Sequence, residues 1–302
     1  MILPRQTQTT DAVAAHYDEL DSFYREIWGE HVHHGYWATG RETPAEAAVS
    51  LLDLLADRLR LEPGLRVCDI GCGYGAAARY LAETHALDVV GVTISAAQAR
   101  RAQIQRAQAQ CAEAQCARAR RPQPPAPTAG SVTVWLQDWL ANDFAPASFD
   151  RAYAVESSEH MPDKQGFFHE AFRTLKPNGL LAVCAWLSRT EPAAWEIRHL
   201  LEPICREGRL PSMGDETDYR RLGERAGFRV VQVEDLSRQV SRTWWICIRR
   251  GLLKLATRPR YVRFLLDKTA SNRIFAVTLF RIMIAYRTRS MRYCVLLFRR
   301  EA

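Results

Sequence analysis

The chain has 302 residues, 47% of them hydrophobic and 25% charged, with 41 Lys and Arg against 34 Asp and Glu. That length buries a large core as one elaborated domain or as a core with a smaller cap, and the composition excludes a disordered chain. The formal net charge of +7 is unevenly placed: residues 238–302 hold 16 basic side chains and two acids, Asp267 and Glu301, a net +14, which leaves −7 on the remainder.

From the N-terminus, "MILPRQTQTTDAVAAHYDEL" turns polar at once and carries no secretory leader pattern. The best apolar run, Ile274 to Ala285, is interrupted by Arg281 and is too short to span a bilayer, so a cytoplasmic location is expected. Eight cysteines are scattered without a CxxC pair, which points to reduced core residues rather than a disulfide framework or a zinc ribbon. The stretch "GEHVHHGYW" gathers His31, His33 and His34. Their spacing has no i, i+4 pair and no accompanying Cys, Asp or Glu set, so no metal site is expected there. Apolar residues at helical spacing follow from Ala45 to Leu59, and Pro63-Gly64 stops the helix. Residues 1–60 are thus expected to form an N-terminal helical lid segment.

"LRVCDIGCGYGAAARYLAETHALDVVGVTIS" reads as strand, glycine loop, helix and strand, the βαβ pattern of a parallel sheet. Gly71, Gly73 and Gly75 follow a strand that carries Asp69, where glycine lets the backbone turn tightly and approach a ligand. The spacing is GxGxG, with Ala76 in place of a third phosphate-loop glycine and Thr93 where a nicotinamide site would carry an acid. Ala96 to Arg120 reads as a long helix ended by "RPQPPAPTAG", and the insertion at 108–130 is expected to be exposed and mobile. Further strands are expected at Val132–Leu136, Ala152–Val155, Leu180–Ala185, Arg229–Glu234 and Tyr293–Phe298, with a helix at Lys164–Leu175 ending in the turn "KPNG". Residues 61–186 then form a ligand-binding core, and 187–302 supply cap helices and the remaining strands. The expected fold class is α/β: a Rossmann-like, seven-stranded, mostly parallel sheet with helices on both faces, an N-terminal helical lid and a C-terminal helical cap.

In such a sheet ligands sit beyond the carboxyl ends of the strands, where "AVESSEHMPDK" places Glu156, Ser157, Glu159 and His160. Two acids and an imidazole so close together need a function or exposure, because buried unpaired charge is costly. The segment Ser241 to Arg289 is helical in pattern, aromatic and basic. The aromatics Trp186, Trp195, Tyr219, Trp244, Trp245, Phe264, Phe275, Phe280 and Tyr286 are either helix packing or the wall of an apolar acceptor site, and spacing does not decide between these. The basic tail is either a solvated face or a surface for anionic headgroups or an acidic substrate. No nucleic-acid module is recognisable, and no nucleic-acid partner is expected.

"V-x-D-I-G-C-G-Y-G" resembles the first motif of class I S-adenosylmethionine-dependent methyltransferases, and "GVTISAAQ" is similar to that of cyclopropane-synthase-like and tocopherol-type methyltransferases. "ESSEHMPDK" nearly matches the gamma-tocopherol methyltransferases, with Ser158 where many have glycine. "YDELDSFYREIWGEHVHHGYW" and the late "AYRTRSMRY" complete five motifs in order over most of the chain, with the 108–130 insertion outside the pattern. The resemblance implies S-adenosyl-L-methionine as cofactor and S-adenosyl-L-homocysteine as product. Asp69 would pair with the cofactor ammonium, and Gly71, Cys72 and Gly73 would fit around its amino-acid part. Thr93, Ile94 and Gln98 would meet the ribose, and Asp138 with Trp139 the adenine. Tyr36, helped by Tyr17, would reach the carboxylate or methyl-sulfonium region as part of a lid, with Glu156 beside the cofactor.

For the chemistry, His160 is the natural proton acceptor, Glu159 would orient it or bind substrate, and Glu156 is a further catalytic carboxylate. His33, His34, Trp186, Tyr219, Trp244, Trp245 and Tyr286 would face the acceptor. The resemblance implies C-methylation of a small, apolar or prenyl-containing acceptor such as a prenylated phenol or terpenoid. Methylation of a prenyl diphosphate alkene and N-methylation of an amine stay open. So do a nicotinamide-dependent oxidoreductase, disfavoured by GxGxG and Thr93, and a catalytically silent lipid- or partner-binding protein. The basic C-terminal region suggests peripheral membrane contact. Oligomeric state is not legible.

Overall fold

A computed structural model describes residues 1–105, 130–268, 272 and 275–302. Nearly all of the insertion expected at 108–130 lies outside the described residues, as does the side chain of Phe275. Helix α1 (Thr10–Ile27) is capped by Thr9, whose hydroxyl accepts from the Ala12 N–H. Helix α2 (Pro44–Leu59) opens on a reciprocal capping box between Thr43 and Glu46, with proline in its first turn, and ends on Arg60 in the left-handed conformation. Strand β1 (Arg66–Ile70), helix α3 (Ala76–His85) and strand β2 (Asp88–Thr93) realise the expected βαβ unit. A helix described over 96–105, α4, leads out of β2.

Beyond the insertion come β3 (Ser131–Leu136), β4 (Phe149–Val155), α5 (Lys164–Thr174) and β5 (Leu175–Ser188). The "KPNG" turn falls within β5 rather than before it. Leu175 pairs with Phe149 and Leu180 with Arg151, so four residues bulge out between them, with Asn178 at φ +63°. Helix α6 (Ala194–Glu196) passes through a π-helical turn at Ile197–Leu201 into α7 (Glu202–Glu207), followed by α8 (Glu216–Arg225) and β6 (Phe228–Asp235). The cap consists of α9 (Ser237–Val240), α10 (Arg242–Thr257), α11 (Pro259–Leu266) and α12 (Phe275–Arg287), and β7 (Met291–Arg300) closes the sheet.

The seven strands lie in the order β3-β2-β1-β4-β5-β7-β6. Strand β7 runs antiparallel to both β5 and β6, and the other pairings are parallel, as the mostly parallel expectation required. Strand order reverses at β1, between β2 and β4, which opens a crevice beyond their carboxyl ends. Because successive side chains point to opposite faces, β1, β2 and β5 feed two cores. Val67, Val89 and Leu180 meet α2, α3, α10 and α12 on one face. Cys68, Val90 and Leu181 meet α5 and α8 on the other. The described cysteines Cys68, Cys72, Cys184, Cys205, Cys247 and Cys294 are all buried and unbridged. Among the described residues no helix is long and apolar enough to cross a membrane.

Phe168 anchors the second core: it is fully buried, and its ring centroid lies 5.1 Å from Phe298, 5.0 Å from Phe167 and 6.0 Å from Tyr219. Phe168→Ala should destabilise the fold by about 3–5 kcal/mol, read as a lower urea midpoint at unchanged slope.

Candidate active site

The glycine loop after β1 and the loop after β4 form the floor of a half-open cleft. Gly71, Gly73 and Gly75 all have positive φ, at +84°, +53° and +70°. A Cβ on Gly71 would overlap Ser157, whose hydroxyl donates to the Ile70 carbonyl, so only glycine lets the two loops close on each other. Tyr17, Gly71, Gly73, Thr93, Ile94, Gln98, Asp138, Trp139, Glu156 and His160 all line this cleft. A second recess, sharing Gly71, Gly73, Val32 and Val155 with the first, contains Asp69 and Cys72.

Asp69 is 2% exposed, and its Oδ2 has no hydrogen-bond partner within the protein. Burial pushes its carboxyl up to about 7, against the pull of the Tyr153 hydroxyl. An orphaned buried carboxylate beside a glycine cradle is what a ligand ammonium would satisfy, so these residues fit the amino-acid end of S-adenosylmethionine. At the far end Thr93 donates to Gln98 Oε1 at 3.0 Å, so the two lining side chains hold each other. Asp138 accepts from the Leu140 N–H at 2.9 Å, and the Trp139 indole, 2% exposed, donates to the Phe167 carbonyl at 3.2 Å. Helix α1 closes this end: Asp18 accepts from Ser95 Oγ at 2.5 Å and from the Ala97 N–H at 3.3 Å, at the start of α4.

Glu156 sits at φ +54°, a conformation rare for a residue with a side chain. Its Oε1 accepts from the His34 N–H at 2.7 Å and the Tyr293 hydroxyl at 2.9 Å, and lies 2.9 Å from His34 Nδ1. Its Oε2 accepts from the Trp186 indole at 3.0 Å. Burial alone would raise this carboxyl, but the His34 imidazole and these bonds outweigh it and hold it at about 2. Around the His34 ring stand Trp186, Trp244, Tyr286 and Tyr293, with centroids 4.9–5.8 Å away.

His160 Nε2 and the Tyr17 hydroxyl are 3.0 Å apart, and His160 Nδ1 lies 3.4 Å from the Arg209 carbonyl. A carbonyl only accepts, so Nδ1 carries the proton and Nε2 accepts from Tyr17. Burial, reinforced by His16, pushes His160 down to about 4, so the ring is neutral at physiological pH. Glu159, in contrast, faces away from the cleft. Its Oε1 accepts from the Trp186 N–H at 2.8 Å and its Oε2 from Ser158 Oγ at 3.2 Å, and burial pushes its carboxyl up to about 8.

A second, half-open cavity, lined almost wholly by apolar side chains, lies between α1 and the cap helices α10, α11 and α12. Leu20, Phe23, Trp28, Leu255, Phe264 and Leu279 are among its walls. Tyr24 lines it too, and the Tyr24 ring stacks on Tyr17 at 5.5 Å, so the two tyrosines separate the apolar cavity from the cleft. His16 Nε2 and Nδ1 bridge Tyr24 and Asn272 at 3.0 and 2.8 Å.

Several expectations need correction. Tyr36 does not line the cleft: its N–H is tied to the Ala47 carbonyl of α2 and its ring packs on the core, while Val32, four residues earlier, takes the lining position. Glu159 does not orient His160, because its oxygens accept from the Trp186 N–H of β5 and from Ser158 Oγ in its own loop. Tyr219 is wholly buried in the α5–α8 core with its hydroxyl 3.2 Å from Ser158, away from any acceptor. Trp245 points to solvent at 57% exposure, as do Trp195 and Phe280. Trp244 and Tyr286 pack on His34 without lining either cavity. The three histidines of "GEHVHHGYW" diverge. His34 engages Glu156, His33 Nδ1 donates to the His34 carbonyl at 2.8 Å, and His31 meets His33 edge-on. Among the described residues no group of three His, Cys, Asp or Glu side chains is arranged to hold a metal ion.

Residues that sequence reasoning missed are Asp18, Val32, Tyr24 and Tyr293. All four lie inside the quoted stretches "YDELDSFYREIWGEHVHHGYW" and "AYRTRSMRY", but neither pattern says which of its side chains face the cleft; the helical period of α1, which puts Tyr17, Leu20 and Tyr24 on one side, carried the further signal.

Gly71→Ala should abolish S-adenosylhomocysteine binding in calorimetry while the far-ultraviolet dichroism stays native. Asp69 carries a pH signature. Its folded pKa of about 7 lies above the ordinary 3.8, so its contribution to the stability of the ligand-free protein is full at low pH and is lost as pH rises through about 7. Binding an ammonium requires the anion, so S-adenosylhomocysteine affinity should weaken about tenfold per unit as pH falls below 7, and Asp69→Asn should bind weakly with no such slope.

The comparisons agree with this geometry. A family model described as mycolic acid cyclopropane synthetase matches residues 4–247. The chloroplastic tocopherol O-methyltransferase of Arabidopsis thaliana is 28% identical over 258 residues, covering 80% of this chain and 69% of that protein. The 27-O-demethylrifamycin SV methyltransferase of Amycolatopsis mediterranei (strain S699) is 30% identical over 237 residues, 78% of this chain and 80% of its own. The mycolic acid cyclopropane synthase CmaA1, solved with SAH and CTAB, superimposes with a TM-score of 0.78 over 97% of this chain and 99% of its own, at 21% identity, a likeness of fold. A glycine cradle beside an orphaned carboxylate, on a doubly wound sheet with these relatives, means that the chain belongs to the mycolic acid cyclopropane synthetase family and is an S-adenosylmethionine-dependent methyltransferase.

Proposed function

We propose that the protein methylates carbon on a small apolar acceptor bearing a prenyl or terpenoid chain, a prenylated phenol first of all. The observation that carries this reading is the apolar recess set against the cleft across a single pair of stacked tyrosines. Its apolar lining suits a hydrocarbon tail, and its Tyr24 wall faces the side where Tyr17 meets His160.

S-adenosylmethionine, when bound, supplies an electrophilic methyl carbon. The chain's own work is to position, to shield and to move a proton. The glycine loop, Asp69 and the Thr93–Gln98 pair hold the cofactor, and α1 covers it through Asp18. A ring carbon that gains a methyl group becomes cationic and must then lose its hydrogen as a proton. The Glu156 carboxylate, kept ionised by His34, lines the cleft and lowers the energy of that positive charge. His160 Nε2 takes the proton through Tyr17: the phenol passes its own proton to Nε2 as it receives the acceptor's, and the Nδ1–H stays on the Arg209 carbonyl. A base held near 4 is weak for a phenol O–H but sufficient for so acidic a carbon, which favours C- over O-methylation.

The net +14 of residues 238–302 favours a second reading, an anionic acceptor such as a prenyl diphosphate. Against it, among the described residues no arginine or lysine lines the cleft or the apolar cavity. Peripheral contact between the basic C-terminal region and an anionic membrane belongs with the first reading, since a prenylated acceptor dissolves in bilayers.

Labelled methyl transfer to a panel of prenylated phenols, prenyl diphosphates, sterols and amines tests the assignment. Label on a ring carbon of a prenylated phenol is expected, and transfer confined to amines would overturn it. His160→Ala should lower kcat by about 10²- to 10⁴-fold while S-adenosylhomocysteine affinity is unchanged. Because His160 is already neutral well below pH 6, kcat at saturating cofactor should stay flat through the neutral range, leaving the pH dependence in the KM for the cofactor.

A further inference from the structure

The α10–α11 hairpin has two faces of different use. Its inner face roofs the apolar cavity with Gly251, Leu255, Tyr261, Phe264 and Leu265. Its outer face exposes five large apolar side chains within 22 residues: Trp245 at 57%, Leu252 at 54%, Leu253 at 61%, Val262 at 42% and Leu266 at 72%. On α10 Trp245, Leu252 and Leu253 stand seven and eight residues apart, on one side of the helix. On α11 Val262 and Leu266 stand four apart. Isolated exposed leucines are ordinary, but a run of them over an apolar cavity is not.

Charge selects the partner. Residues 242–266 contain seven basic side chains and no acid. Four of these are engaged within the fold. Arg250 donates to the Ile27 carbonyl, Lys254 and Arg260 pair with Glu26, and Arg242 donates to the Gly40 carbonyl. Arg249, Arg258 and Arg263 are exposed and make no ion pair among the described residues, and they alternate with the exposed apolar side chains. Apolar side chains that insert, interleaved with arginines at headgroup level, match the interface of an anionic bilayer. A soluble acidic protein would use the charges without needing the leucines.

We propose that the outer face of α10–α11 docks the enzyme on anionic membranes and that the acceptor's hydrocarbon tail passes from the bilayer directly into the cavity beneath. The docking half rests on surface residues alone; the delivery half rests on the acceptor reading above, and the two are separable by experiment. Sedimentation with phosphatidylcholine vesicles and with vesicles containing phosphatidylglycerol measures docking without any acceptor. Wild-type protein is expected to bind the anionic vesicles at least tenfold more tightly than the neutral ones, with binding weakened by salt and a blue shift of Trp245 fluorescence. Leu253→Glu/Leu266→Glu and Arg249→Gln/Arg258→Gln/Arg263→Gln should each lose at least tenfold in vesicle affinity while S-adenosylhomocysteine binding is unchanged, which certifies the fold. Equal binding to neutral and anionic vesicles, or undiminished binding by both variants, overturns the docking surface. So does a wild-type dimer that Leu253→Glu/Leu266→Glu dissociates, because the face would then belong to a second copy. For delivery, turnover of a vesicle-dissolved acceptor should fall at least tenfold in both variants and turnover of a detergent-dispersed one should not. If docking variants and wild type methylate the vesicle-dissolved acceptor equally, delivery fails and docking stands.

Discussion

The buried carboxylate of Glu156 is the constraint on which the rest of the site is built. An ionised group this deep is costly unless its oxygens are met on every side, and here they are met from three remote parts of the chain. The N-terminal segment sends His34, the end of β5 sends Trp186, and β7 sends Tyr293. The same requirement explains the strained backbone at Glu156, since the left-handed turn lets the carboxylate face this box as the chain leaves β4. Fixing one charge therefore fixes how the lid, the sheet and the cap helix α10, which brings Trp244 against His34, sit together.

Two cavities of opposite character follow from that arrangement. The cleft over the glycine loop has Asp138, Glu156 and His160 among its walls, and the cavity under α10 and α11 is lined almost wholly by apolar side chains. Helix α1 divides them, presenting Tyr17 to one and Tyr24 to the other. Each tyrosine is held by a histidine, Tyr17 by His160 and Tyr24 by His16. Burial keeps both histidines neutral, at about 4, so the partition is a hydrogen-bonded wall without net charge. The apolar recess and the cleft thus meet at this wall.

The carboxyls and the lysine around the β4 loop divide their labour by environment. Glu156 is driven down by its partners, and Glu159, three residues on, is driven up by burial among weaker ones. Lys164 is pushed down by burial in its turn and spends its ammonium protons on the Glu159 and Met161 carbonyls, holding the loop's shape. "ESSEHMPDK" thus encodes one charged group lining the cleft, one neutral acid for the scaffold and one imidazole bonded to Tyr17.

Much of this was legible in the residues taken in order. The period of apolar side chains marked six of the seven strands to within a few residues, and the glycine spacing marked the tight loop after β1, because these are local requirements of the backbone. The "KPNG" bulge escaped because a strand that pauses and resumes looks like a turn in sequence. The lid was misread at Tyr36: the histidines and aromatics of "GEHVHHGYW" all have the chemistry of a site, and only packing against α2 and Glu156 decided that Val32 faces the cleft while Tyr36 faces the core. Tyr219 and Trp245 were misplaced for the same reason, one lying in the second core and the other in solvent. By itself the sequence determined the sheet, the glycine cradle and the presence of acid, base and imidazole after β4. Only the tertiary structure decided which carboxylate is charged and which tyrosine faces the cleft, because desolvation and pairing depend on neighbours remote in sequence: Tyr293 is 137 positions from Glu156, and Asn272 is 256 from His16.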